Sequence, residues 1–130
     1  MAYSAGLGKC NIVAFVTIVD VERAKSFYLD TLGLRFLGDE LPFAIVFEAN
    51  GIMLRLVIGK ELPPAFGTVL GWQVPDAVAA VKQLMKAGVQ FERYEFMKQD
   101  ELAIWTTPTG ARVAWFKDPD GNTLSVSQHP

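Results

Sequence analysis

The chain is poor in the residues from which most metal and nucleophile sites are built. Its 130 residues include one cysteine, Cys10, and one histidine, His129. A lone cysteine has no partner within the chain, so no internal disulfide framework is expected. No histidine stands near Cys10 in the sequence, which leaves a Cys–His nucleophilic pair with little support. His129 lies next to the C-terminus and reads as a disordered tail residue. Charge of one sign is also missing: the net charge is -2 and no long block is acidic or basic. Neither a nucleic-acid footprint nor an electrostatic membrane anchor is expected from such a chain. No apolar run is long enough to span a bilayer, and Met1 to Cys10 does not read as a signal peptide. A soluble cytoplasmic protein is the default expectation.

What is present is a strand and helix plan stated twice. Asn11 to Val19 is a nearly continuous apolar and β-branched run, the pattern of a buried strand. Asp20 then reads as a helix N-cap, with Ala24, Phe27, Tyr28 and Leu32 at helical spacing and Gly33 as the terminator. Leu34 to Leu37 is a short strand, Gly38 to Pro42 a turn, and Phe43 to Glu48 a further strand. Asn50-Gly51 is a hairpin signal leading into Ile52 to Ile58. Residues 59–68, with Pro63-Pro64, read as a linker.

The plan then restarts. Val69 to Val74 is a strand, Asp76 caps a second helix, and Val78, Val81, Leu84 and Met85 form its apolar stripe up to Gly88. Val89 to Tyr94 reads as a strand. Val113 to Lys117 and Thr123 to Ser127 flank Asp118-Pro119-Asp120-Gly121, whose Pro, Asp and Gly supply turn chemistry. Gly33-Leu34-Arg35-Phe36 answers Gly88-Val89-Gln90-Phe91 at an offset of 55 residues, from 33 to 88. Asn50-Gly51 answers Asp120-Gly121 at an offset of 70, from 50 to 120. The second copy therefore carries extra length, most of it in Phe96 to Gly110. This is an internal repeat, with residues 11–58 and 69–128 as two βαβββ modules in one domain.

Val19-Asp20-Val21-Glu22-Arg23-Ala24, Phe27-Tyr28, Leu32-Gly33-Leu34 and Asp118-Pro119-Asp120-Gly121-Asn122 stand in one order along nearly the whole chain. In this the sequence resembles the vicinal oxygen chelate superfamily of glyoxalases, bleomycin-resistance proteins and extradiol dioxygenases. The resemblance implies an α+β fold, with two tandem modules whose mixed sheets curl around a concave cup. Enzymes of that family hold a divalent metal there, with His, Gln or Glu from the first and last strand of each module. Carried over one by one, those positions are Val13, Arg55, Val69 and Ser125. None is a usual metal ligand, and an arginine repels a cation. No metal and no cofactor is expected.

Alternation along a strand selects the residues that share parity with those positions. The inward set is then Val13, Phe15, Thr17, Met53, Arg55, Val57, Val69, Gly71, Gln73, Thr123, Ser125 and Ser127. Phe43 to Glu48 is apolar almost throughout, so parity cannot be read there; Phe43 and Phe47 are possible wall residues. Trp115 and Trp105 are further wall candidates, and Phe96 to Gly110 is a candidate lid. The expected binding residues are Phe15, Thr17, Phe47, Arg55, Gln73, Trp105, Trp115 and Ser125. They describe an aromatic-walled cup whose arginine favours a small organic anion such as a carboxylate. Arg55 has an alternative as an edge residue paired with Glu48 or Glu101. The leading reading is a metal-free small-molecule-binding protein, and a homodimer, since the resembling proteins commonly pair modules between chains. The alternatives are a metal-independent or, less favoured, a metal-dependent enzyme, and an interaction module with a filled cup.

Overall fold

The computed structural model describes residues 6–62 and 67–130. Part of the expected linker, 63–66, lies outside them. After a 3-10 turn at Gly6–Lys9, the first module runs β1 (Val13–Ile18), α1 (Val21–Ser26), β2 (Arg35–Glu40), β3 (Ala44–Ala49) and β4 (Ile52–Ile58). The second runs β5 (Leu70–Gln73), α2 (Ala77–Lys86), β6 (Trp105–Thr106), β7 (Arg112–Lys117) and β8 (Thr123–Gln128). Strand order is β1-β4-β3-β2 in one sheet and β5-β8-β7-β6 in the other. Each sheet joins its first and last strands in parallel and the rest antiparallel. The two orders are the same plan repeated.

Local chemistry accounts for the element ends. Asp20 accepts from Arg23 N at 3.1 Å, and Asp76 accepts from Ala79 N at 3.1 Å, so both helices carry the expected N-caps. The first helix is not uniform: α1 is short and passes into a π-helical turn, Phe27–Thr31, before Gly33 ends it at φ +75°. Asn50 and Gly51 both take positive φ, 49° and 87°, which suits the two-residue hairpin joining β3 to β4.

Three expectations are corrected. The stretch Gly38 to Pro42 is not all turn. A bulge at Leu37 lets β2 resume, with Gly38 opposite Val46 and Glu40 opposite Ala44. Val89 to Tyr94 forms no strand; it keeps a single bridge, Phe91 to Phe116. The edge strand of the second sheet comes instead from the extra length, as Trp105–Thr106. That insertion is an ordered part of the sheet rather than a loose lid. Gln99 fixes it, accepting from Tyr94 N at 2.8 Å and donating to Glu92 O at 2.9 Å and Ala103 O at 2.8 Å.

One core serves both modules. Even-numbered residues of the first strand face it, with Val16 4 % exposed and Ile18 fully buried. Ile45, Phe47, Leu54 and Leu56 join them from β3 and β4, and Phe116, Leu124 and Val126 from the second sheet. Phe27 meets Phe116 with ring centroids 6.5 Å apart, and Tyr28 meets Phe47 at 6.1 Å.

The turn between β7 and β8 ties the modules together. Asp118 is buried, and its carboxylate accepts four bonds: from the Tyr28 hydroxyl at 2.8 Å, Asn122 Nδ2 at 2.8 Å, Asn122 N at 2.9 Å and Asp120 N at 3.0 Å. A buried carboxylate needs such a complete set of donors. Asn122 also donates to Thr17 O at 2.8 Å, and Asp120 accepts from Asp20 N at 3.3 Å. Burial and the adjacent Asp118 charge hold the Tyr28 phenol well above its ordinary range.

Candidate ligand-binding faces

The strand faces opposite the core are open. In β1, Val13 is 41 % and Phe15 61 % exposed, while Val16 and Ile18, farther along the strand, are buried. Met53 and Val57 are exposed on β4, and Val69 just before β5. The odd-numbered residues chosen by alternation therefore share one face per sheet. Phe15, Thr17 and Arg55 stand on the first, and Gln73, Trp115 and Ser125 on the second. Trp105, in register with Val113, completes the second set. Phe47 does not belong. It pairs with Leu54 rather than Arg55, is fully buried, and packs against Tyr28 and Phe36. An apolar strand hid its parity.

The first face is largely apolar and carries two ion pairs, Arg55–Glu40 at its middle and Arg35–Glu48 at the end beside Met53. Arg55 extends across β3 to the edge strand, where its Nη2 bonds Glu40 Oε1 and its Nη1 lies 3.4 Å from Glu40 Oε2. Its Nη1 also sits 3.9 Å from Met53 Sδ. The pair bridges strands on either side of Ala44 and Val46, which are buried. Each partner favours the other's charged form, so Glu40 lies below its ordinary range and Arg55 above. Neither carboxylate expected beside Arg55, Glu48 or Glu101, bonds to it. Glu48 faces Arg35 at 3.5 Å and accepts from Gly51 N at 3.3 Å, while the Glu101 carbonyl takes Arg93 at 2.8 Å.

The second face sets small residues beside aromatic ones. Gly71 and Ser125 are paired on it, and a Cβ on Gly71 would stand 2.5 Å from Ser125 Oγ. A side chain there would force the Ser125 hydroxyl to move. Trp115, in register with Ser125, is pinned by a bond from Nε1 to Thr68 Oγ1 at 2.9 Å. Trp105 stacks on Trp115 at 6.2 Å and 29°, and Tyr94 meets it edge-on at 5.7 Å. Tyr94 also meets Phe96, which is 82 % exposed. Partial burial and the Glu92 charge raise the Tyr94 phenol above its ordinary range.

The structure places seven expected residues on these two faces without closing them into one cup. Among the described residues no side-chain hydrogen bond, ion pair or ring contact joins one open face to the other. A cleft of about 500 Å³ lies elsewhere, between Leu32 and Leu34 on one side and Ala80 and Leu84 on the other, and holds only Gln73 of the expected set. A polar cleft, also of about 500 Å³, brings Gln73 near His129. His129 is exposed beyond β8, with its Nε2 3.0 Å from Ser127 Oγ. This contact escaped sequence reasoning, because the histidine follows the last strand signal. No carboxylate among the described residues touches the ring, so the orienting third group of a nucleophile–base pair is missing.

The donor chemistry does not fit the family's metal. The carried-over positions offer two valines, a serine and an arginine already bonded to a carboxylate. Among the described residues no three His, Cys, Asp or Glu side chains gather closely enough to hold a metal ion.

The Glyoxalase/Bleomycin resistance protein/Dioxygenase superfamily model matches residues 10–126, and the chain belongs to that superfamily. No curated protein matches the chain. Among solved structures, a superfamily member from Sphaerobacter thermophilus DSM 20745 is 24 % identical, covers 99 % of this chain and 98 % of its own, and has a TM-score of 0.71. TnmS3, an antibiotic binding protein from Streptomyces sp. CB03234, is 25 % identical over 100 % of this chain and 99 % of its own, at 0.68. A glyoxalase/bleomycin resistance protein from the same Streptomyces strain is 28 % identical over 91 % and 99 %, at 0.65. No helix among the described residues is long and apolar enough to cross a membrane.

Proposed function

We propose that this chain is a metal-free small-molecule-binding protein that lays a flat aromatic guest on the open face of the second sheet. The observation that carries the reading is the small-residue pair Gly71 and Ser125 beside the stacked Trp105–Trp115 rings. Rigid rings offer a guest a large contact area at small entropic cost, and offset stacking adds about 0.5–1.5 kcal/mol per ring pair beyond burial. The similarity to an antibiotic binding protein supports the same class of activity. The roof is the first sheet's open face, and the chain works as a homodimer in which one copy's first face covers the other's second face. Support for this comes from Val13, Phe15, Met53 and Val57, large apolar groups of the first face that a lone chain leaves exposed.

Calorimetric titration with 2-naphthol, a planar neutral ring, tests the site. Binding at one guest per chain, lost in Trp115→Ala while the fold persists, is expected. Absence of binding, or binding that Trp115→Ala leaves intact, overturns it. Light scattering tests the assembly, and a monomer at tens of micromolar chain would refute the shared roof.

A further inference from the structure

At the middle of the proposed roof stands one cation, Arg55, whose fork is already filled; Arg35, beside Glu48, lies at the end of the same face. We infer that Glu40 is a specificity residue: by occupying Arg55 it turns the site away from anionic guests and toward neutral aromatic ones. The inference rests on the aromatic-guest reading above and adds the charge of the guest.

The argument starts from register. The bulge at Leu37 carries β2 on to Glu40, which pairs with Ala44, while Arg55 pairs with Val46 in the adjoining ladder. Paired residues point to the same side of a sheet, so Glu40 and Arg55 share the open face with Phe15. Both terminal nitrogens of Arg55 point to the two Glu40 oxygens. That is the bidentate geometry a guest carboxylate would need. An incoming anion must therefore displace Glu40, and the displaced carboxylate would remain beside the new one. Like charges at such range repel, and the arginine can satisfy only one fork at a time. A neutral ring meets no such competition. The pair presents it with no net charge, and the stems of Arg55 and Met53 supply apolar surface. Glu40 is half exposed and Arg55 mostly covered, with side-chain exposures of 53 % and 26 %. Glu40 can therefore be changed with little disturbance of packing.

The test compares three guests with the same ring: 2-naphthol, 2-naphthoate and 2-naphthylmethylammonium. Each is titrated calorimetrically into the full chain and into Glu40→Gln, Arg55→Gln, the double variant and Trp115→Ala. Naphthol is expected to bind the native chain more tightly than naphthoate. In Glu40→Gln the naphthoate affinity should rise about tenfold, a change of about 1.4 kcal/mol, while naphthol shifts little. The gain should shrink with added salt and vanish in the double variant. Unchanged thermal unfolding of Glu40→Gln confirms that the comparison is between folded proteins. If the naphthoate-to-naphthol ratio stays put in Glu40→Gln while Trp115→Ala still abolishes binding, the Glu40 inference falls and the aromatic site stands. If no ring binds the native chain, or Trp115→Ala changes nothing, the site itself falls and the inference with it.

Discussion

In the first sheet Phe15 stands beside Arg55; at the corresponding register of the second sheet stand Gly71 and Ser125. The backbone ladder is the same, but one copy fills the middle of its open face with a ring and a cation, and the other empties it. The aromatic groups of the second face come from β6, β7 and the segment between α2 and β6, at the flank of that face rather than its centre. A duplicated scaffold thus presents two different open faces, one bulky at its middle and the other small. Of the four positions that serve a metal in the family's enzymes, Arg55 and Ser125 fall at this division, while Val13 and Val69 are alike in the two sheets.

The comparison depends on which side of its sheet each residue occupies, and the sharpest break would come from Phe47 against Phe15. Phe47→Ala should cost about 3–5 kcal/mol, because it empties a fully buried site against Tyr28 and Phe36. Phe15→Ala, measured at high dilution, should stay within about 0.5 kcal/mol, as exposed substitutions do. Equal costs in denaturant titrations would show the faces to be wrongly assigned.

Next in size is the tie between modules. Tyr28→Phe takes one donor from the buried Asp118 carboxylate and should cost about 1.5–3 kcal/mol. The phenol is also held protonated in the fold, above its ordinary value of 10.0. Its stabilising contribution is complete below that value and declines as pH rises beyond it, because the unfolded chain then releases a proton the folded chain retains. Melting temperature should fall above about pH 10 in the native chain and fall less steeply in Tyr28→Phe. Parallel curves would remove Tyr28 from the account.

Gly71→Ala should destabilise by about 1–3 kcal/mol through its collision with Ser125 Oγ. In a Ser125→Ala background most of that cost should disappear, since the remaining Cβ lies 3.9 Å away. A cost that survives in the double variant would mean that it does not come from this contact. The smallest expected effect is none. Excess chelator should leave the melting temperature unchanged, because Val13, Arg55, Val69 and Ser125 contribute no folding energy through a metal; a fall of several degrees would refute the metal-free reading.

The repeat, both helix caps and the sidedness of β1, β4, β5 and β8 were readable because each depends on local chemistry or on period-two alternation. Phe47 was not, because β3 is apolar on both sides and alternation has nothing to contrast. Glu40 was missed for a related reason. Gly38 and Pro42 mark a turn in sequence terms, whereas the ladder absorbs the irregularity at Leu37 as a bulge and resumes. The edge strand of the second sheet was misplaced because Val89 to Tyr94 matches the repeat, yet Trp105–Thr106 takes the pairing with β7. Pairing between distant segments is decided by competition, which composition does not record.

The Asp118 turn has a consequence for how the halves of this protein can be handled apart. Tyr28, Thr17 and Asp20 from one half all bond to the turn of the other. A chain severed between the halves would leave the second fragment with a desolvated carboxylate missing a donor, and the first with a phenol missing its acceptor. Each fragment should be a poor folder alone and a good complement to its mate, so that mixing restores what neither holds. The duplication has passed beyond two interchangeable units: a fragment of either kind paired with a copy of itself would lack this turn contact.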